Sequence, residues 1–298
     1  MINFIKYRKI YFIFSAFLVL GSLFCLTFFG LKFGIDFTGG TVLELQFADA
    51  RPQVSEIKQS LSSFNLGEAI IQPSGQKGVL IRTGNLSQDM SQKIIQALKE
   101  RWKLDEKQFK SRTVGPSISK ELRQKTRIVT ALAVLAILLY ITYAFRKLTY
   151  PVKSWQYALA AIFALFHDVL IPTGIFSLLG KFYGVPFTIP IVTALLTVFG
   201  YSINDSVVVF DRIRENLLTR KGQTFEETVN KSLNQTLARS FNTSFTTLLV
   251  LFAIFFFGGE TLRYFSLTLI IGIASGTYSS IFLTSPILVS WLKKKGKI

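Results

Sequence analysis

The sequence predicts an α-helical membrane protein of six transmembrane helices carrying one α+β, ferredoxin-like domain on the outer side of the membrane. Three observations lead there. Hydrophobic residues make up 50% of the 298-residue chain and phenylalanine alone occurs 29 times, a usage outside that of ordinary soluble domains. Six segments are apolar for long enough to cross a hydrocarbon core of about 30 Å. Between the first two lies a polar stretch, 31–127, in which strand-like and helix-like periodicities alternate.

The first span is expected at 10–30, behind Lys6, Arg8 and Lys9. A basic start followed by an apolar run imitates a secretory signal. This run is too long for a signal core, and Gly30-Leu31-Lys32-Phe33 offers no small-residue cleavage site, so the segment is expected to stay as an anchor. The single cysteine, Cys25, falls inside it, which excludes an internal disulfide and a cysteine cluster for metal.

Next comes the outer domain, 31–127. Thr41 to Phe47 alternates as a strand, and Val54, Ile57, Leu61 and Phe64 recur at helical spacing. Ala69 to Gln72 and Val79 to Arg82 read as two strands around a turn at Pro73-Ser74-Gly75. Ser87 caps a second helix carrying Ile94, Leu98 and Trp102, and Phe109 to Val114 supplies the last strand. The order β-α-β-β-α-β is that of the split ferredoxin-like fold.

The membrane domain, 128–298, holds the other spans at 128–145, 154–179, 189–210, 241–257 and 264–291. The fourth runs on through Asp211, Arg212, Arg214 and Glu215 into a cytoplasmic loop, 211–240, and Gly222 breaks it. There Thr224 and Glu227 form a capping-box pattern, and Phe225, Val229, Leu233 and Leu237 repeat every fourth residue. Such an amphipathic helix is expected to lie along the membrane surface and lead into the fifth span.

The formal charge of +17 would suit a nucleic-acid binder, but its placement does not. Arg146, Lys147 and Lys153 fill the second loop and Lys293, Lys294, Lys295 and Lys297 close the chain, whereas the alternate short loops carry only Lys181 and Arg263. This is the positive-inside pattern, with both termini in the cytoplasm, the bilayer as partner and no nucleic acid.

The fourth span contains one carboxylate, Asp205, well inside an apolar run. A charge at that depth costs at least about 2.5–3.5 kcal/mol, so it persists where a partner or a water path offsets the cost. Tyr201, Ser202, Asp205 and Ser206 share one helical face, which must look at protein or water because lipid cannot hydrogen-bond it. The nearest candidate cation is Arg239, at the start of the fifth span and followed by Thr243, Thr246 and Thr247. Burial disfavours a charged carboxyl and a nearby cation favours it, so its proton affinity depends on that distance.

A second pair, His167-Asp168, lies in the third span. Pro172 has no amide hydrogen for the Asp168 carbonyl, so a kink and a hydrated pocket are expected there, with His167 and Asp168 on the proton pathway. Gly272 and Gly276 form a small-xxx-small spacing that lets another helix approach the sixth span. Gly39-Gly40 is not followed by Gly-Lys-Ser/Thr, so no nucleotide site is expected. No nucleophile, histidine and acid form a catalytic set, and an enzyme is not expected.

Several blocks resemble the SecD/SecF family of protein translocase subunits, on its SecF side. They are Phe33-Gly34-Ile35-Asp36-Phe37-Thr38-Gly39-Gly40-Thr41, Val114-Gly115-Pro116 with Glu121-Leu122, His167-Asp168 with Gly174, and Gly200-Tyr201-Ser202-Ile203-Asn204-Asp205. Val208 to Asn216, Arg239 with Thr243-Ser244, and Gly276-Thr277-Tyr278-Ser279-Ser280-Ile281 complete the match. The resemblance implies one half of an RND-type assembly in the bacterial cytoplasmic (inner) membrane. It implies pairing with a SecD chain beside the SecYEG channel and use of the proton motive force to draw unfolded secretory polypeptides outward after SecA has pushed them. By position it implies that Asp205 and Arg239 are an intramembrane proton-pathway pair, with the proton, or alternatively Na⁺, as coupling ion and no bound cofactor. The rival readings are half of a proton-coupled exporter of lipids or small molecules, and a passive translocase scaffold.

Overall fold

In chain order the helices are α1 (Arg8–Phe29), α2 (Ile35–Thr38), α3 (Val54–Ser60), α4 (Gln88–Arg101), α5 (Pro116–Ala144), α6 (Ser154–Tyr183), α7 (Ile189–Thr219), α8 (Phe225–Phe257), α9 (Glu260–Ser279) and α10 (Ser285–Lys294). The strands are β1 (Gly40–Gln46), β2 (Ile70–Ser74), β3 (Gly78–Thr83) and β4 (Lys110–Val114). These come from a computed structural model that describes residues 2–64, 66, 69–105, 109–146, 151–219 and 224–294. Lys147, Gly222, Lys295 and Lys297, which entered the reading above, lie outside the described residues. The chain divides into two compact units, 32–127 and 1–31 with 128–298.

In the unit 32–127 the strands form an antiparallel sheet in the order β2-β3-β1-β4, the ferredoxin-like arrangement. Alternation along β1 turns Leu43 and Leu45 to one face, where they meet Ile81 and Val79 across the ladder. That face packs on Ile57 of α3 and on Ile94 and Leu98 of α4. Ser87 caps α4, its hydroxyl accepting from the Met90 amide at 3.2 Å. The turn expected at residues 73–75 sits slightly later, because β2 continues to Ser74 and pairs Pro73 with Val79. β2 is an edge strand, where a proline without an amide hydrogen is tolerated.

The double glycine is a packing requirement. Gly40 has φ +130°, and a Cβ on it would stand 2.5 Å from the Thr83 carbonyl oxygen. Just before it, the buried carboxylate of Asp36 accepts from Arg112 at 2.7 Å, tying α2 to β4.

The other unit is helical. Six helices among the described residues are long and apolar enough to cross a membrane. In α6, α7 and 262–294, 50–56% of the apolar window is buried inside the chain, against 6–17% in α1, α5 and α8. The first three are therefore the inner helices and the others form a sheath. Phe145, Tyr157 and Phe210 interlock at ring distances of 4.9–5.9 Å in the core shared by α6 and α7.

Within 211–240 the helices follow the sequence reading: α7 runs to Thr219, and α8 starts at Phe225 behind the Thr224–Glu227 capping box and continues unbroken to Phe257. One expectation is corrected, because the apolar stripe of α8 does not lie on a membrane surface. Phe225, Val229 and Leu233 are buried with Phe4, Ile5, Ile213 and Leu288 in the protein's own core. Asn230 and Asn234 hold the preceding segment there, accepting from the amides of Phe4 at 2.8 Å and Ile2 at 2.9 Å. An amphipathic stripe needs an apolar surface, and this chain supplies one.

Candidate functional site

The helical face of Tyr201, Ser202, Asp205 and Ser206 on α7 points into the bundle, where its members meet different partners. Asp205 is 7% exposed. Its Oδ1 accepts from Ser240 of α8 at 2.6 Å and its Oδ2 from Ser280 at 2.5 Å. Ser280 opens a π-helical turn, Ser280–Thr284, between α9 and α10. Such widened turns concentrate at functional positions. Here the turn is fastened by Thr284, whose hydroxyl donates to the Ser279 carbonyl at 2.8 Å.

The expected Asp205–Arg239 ion pair is not formed. Arg239 is exposed on α8, next in sequence to Ser240, so consecutive side chains leave the helix in different directions and the serine takes the inner place. Arg239 acts on Asp205 only as a more distant positive charge.

Asp168 of α6 is fully buried. Oδ1 accepts from Ser275 at 3.0 Å and lies 2.9 Å from His167 Nδ1; Oδ2 accepts from Ser202 and Ser279, both at 2.6 Å. In place of the expected hydrated pocket, protein donors from α6, α7 and α9 enclose the carboxylate. With Nδ1 donating, His167 carries an acceptor at Nε2, which is buried and without a hydrogen-bond partner among the described residues.

The two carboxylates are thus served by neighbouring residues of one helix end, Ser279 for Asp168 and Ser280 for Asp205. Glycines on α9 make this closeness possible. A Cβ on Gly272 would stand 2.3 Å from Val198 Cγ2, and one on Gly276 would meet Ser202 at 3.2 Å and Asp168 Oδ2 at 3.5 Å. Further along, Tyr201 donates to Ser244 at 3.0 Å, and Ser244 lies 2.5 Å from Thr277.

Sequence reasoning singled out the acids but not Ser240, Ser275, Ser279 and Ser280 as their partners. The signal was present: Ser275 and Ser279 are one turn apart within an apolar span, as Ser202 and Ser206 are. Ser206 itself is buried with no hydrogen-bond partner among the described residues. Those residues also contain no group of three or more His, Cys, Asp and Glu placed to hold a metal.

Comparison with known proteins adds the following. Residues 93–294 match the family described as protein export membrane protein SecD/SecF, C-terminal, and residues 26–50 match the SecD/SecF GG motif, which contains Gly39-Gly40. Protein translocase subunit SecF of Thermobaculum terrenum is 43% identical, over 99% of this chain and 95% of the relative. The SecF subunit of Synechocystis sp. is 37% identical, over 97% and 93%. The crystal structure of SecDF, a translocon-associated membrane protein from Thermus thermophilus, superposes with a TM-score of 0.85 at 35% identity, covering 98% of this chain and 39% of that one. SecDF in a super-membrane-facing form gives 0.70 over 99% and 39%. The chain therefore spans less than half the length of the SecDF chains it matches.

Proposed function

This chain belongs to the SecD/SecF family of protein export membrane proteins, and on that footing we propose that it is a non-catalytic, SecF-type subunit of the bacterial Sec translocase. It lies in the cytoplasmic membrane with both termini inside and residues 32–127 on the outer side. With a SecD-type partner, beside the SecYEG channel, it uses the proton motive force to promote export of unfolded secretory polypeptides after SecA has started them.

The observation that carries this reading is the clamp on Asp205. One titratable carboxyl on α7 holds hydroxyls from α8 and from the π turn after α9, so a change in its charge alters contacts among three spans at once. Asp205 accepts two hydrogen bonds, whereas an ionised carboxylate has about four acceptor positions. That leaves room for a proton, or for Arg239 in another arrangement. Moving one charge through the membrane potential supplies about 2.3 kcal/mol per 100 mV, comparable to ordinary conformational biases of a few kcal/mol. Asp168 and His167 would be the second, inner part of the same pathway.

A membrane partner is supported by polar residues on the outward-facing parts of α7 and α8. Asn204 on α7 and Arg239, Asn242, Thr243 and Thr246 on α8 are exposed at helical spacing. Lipid cannot hydrogen-bond the asparagines or pair the arginine, so another chain's polar groups belong there.

The test is Asp205→Asn in inverted membrane vesicles. Its proton-motive-force-dependent export should fall to the level seen with an uncoupler, while SecA-driven initiation and co-purification with the partner persist. Normal energised export in that variant would end the proton-coupled reading. Repeating the measurement with a sodium ionophore separates H⁺ from Na⁺.

A further inference from the structure

We propose that a lateral groove between α1, α6 and α10 binds one anionic phospholipid, with an acyl chain in the groove and the headgroup on Lys9 and Lys294. The groove has a volume of about 850 Å³. Its walls are three pairs of residues, each pair one helical turn apart: Phe12 and Ala16 on α1, Phe163 and His167 on α6, Ile287 and Trp291 on α10. Phe163, at 61% exposure, stands on the side that faces the bilayer.

The groove ends in charge. Lys9 precedes Phe12 by three residues and Lys294 follows Trp291 by three, so helix geometry carries both ammonium groups onto the groove-lining faces, at the same end. Both are exposed, and neither is in an ion pair among the described residues, whereas the adjacent Arg8 is taken by Glu226 at 3.0 Å. At that end Trp155 and Trp291 meet edge to face at 5.4 Å, and indoles of this kind settle at the headgroup level of a bilayer. An apolar slot, interfacial indoles and two unpaired cations in sequence match an acyl chain, a glycerol region and an anionic headgroup.

The occupant also has a place in the chain's polar core. His167 forms part of the groove wall and holds Asp168. The lipid site does not depend on what the protein exports.

Bromine on an acyl chain quenches tryptophan on contact, and Trp291 reports on this groove. Trp102→Phe and Trp155→Phe leave it as the single tryptophan of the full chain. The variant is reconstituted in phosphatidylcholine vesicles containing either brominated phosphatidylglycerol or, at the same fraction, brominated phosphatidylcholine. One basic residue near an anionic surface is worth roughly a factor of five. Phosphatidylglycerol should therefore occupy the site at least about fivefold more tightly than phosphatidylcholine. Adding Lys9→Gln with Lys294→Gln should abolish the preference and leave both lipids quenching. Ala16→Phe, on the exposed groove wall, should remove the tight component. Equal quenching by the two lipids, a preference that survives loss of both lysines, or a Trp291 that neither lipid reaches would each overturn the proposal, the last by showing the groove closed by protein.

Discussion

Asp168 and Asp205 are both aspartates inside apolar helices, yet their surroundings fit them for different work. Asp168 receives three serine hydroxyls and an imidazole, a full complement for two carboxylate oxygens. Asp205 receives two hydroxyls. Within the proposed pathway the saturated acid ties α6, α7 and α9 together, and the unsaturated one keeps spare capacity. Asp168→Ala strands several buried donors at once, and each unsatisfied group costs about 1–3 kcal/mol. Thermal unfolding in detergent should therefore show Asp168→Ala clearly destabilised and Asp168→Asn less so, because the amide oxygen still accepts. Asp205→Asn should stay within about 1 kcal/mol of the parent, because the amide oxygen still accepts from one serine and the other serine's hydroxyl can turn to accept from the amide N–H. If Asp168→Ala unfolded like the parent, the network around it would carry no weight. The acids were legible in the sequence because a charge in an apolar run is conspicuous in one dimension. Their hydroxyl partners were not, since serine on a membrane helix most often bonds its own preceding turn, as Ser266 does with the Leu262 carbonyl at 2.7 Å.

The inner helices meet at glycines rather than at large side chains. On α6, a Cβ added to Gly174 would stand 2.6 Å from Ser22 Cβ and 2.7 Å from Ser22 Cα on α1. The second of these is a backbone atom, which cannot rotate aside, so α1 itself would have to move. Gly174→Ala is therefore expected to cost about 1–3 kcal/mol, the usual range for overpacking. Gly200→Ala on α7 is the control: nothing lies within 4 Å of its added Cβ, and alanine is favoured over glycine in a helix by up to about 1 kcal/mol. Chemical denaturation of the two variants in the same detergent should separate them, and equal behaviour would mean that α1 is loosely held. At this scale the spans were readable because apolar length is a property of sequence, and the unit 32–127 because its alternation matches the pleat. The fate of α8 was not. Phe225, Val229 and Leu233 make the same stripe whether they face a membrane or a protein groove, and only the fold shows that the segment carrying Phe4 and Ile5 lies against them.

Across the whole molecule, Asp168 and Asp205 lie on the inner helices, α8 lends Ser240 to Asp205, and most of the sheath is left apolar or open to partners. α5 illustrates the division: 6% of its apolar window is buried by this chain, so its flanks are available to lipid or to another subunit. The unit 32–127 is polar on its surface and has its own apolar core, which suits it to water rather than bilayer. Its proposed side of the membrane rests on the basic residues Lys6, Arg8, Lys9, Lys153, Lys293 and Lys294, which all flank the same ends of the spans. The sole cysteine makes this directly measurable. In a Cys25→Ser background, Asn85→Cys places a thiol on an exposed position of the unit 32–127, and Lys6→Cys places one on the exposed segment before α1. A membrane-impermeant maleimide applied to intact cells should label the first and not the second, and permeabilisation should expose both. The opposite pattern would invert the topology. In the proposed coupling, protons driven inward would then reach Asp205 from the side of the basic loops, and the unit 32–127 would face the cytoplasm, away from an emerging exported chain.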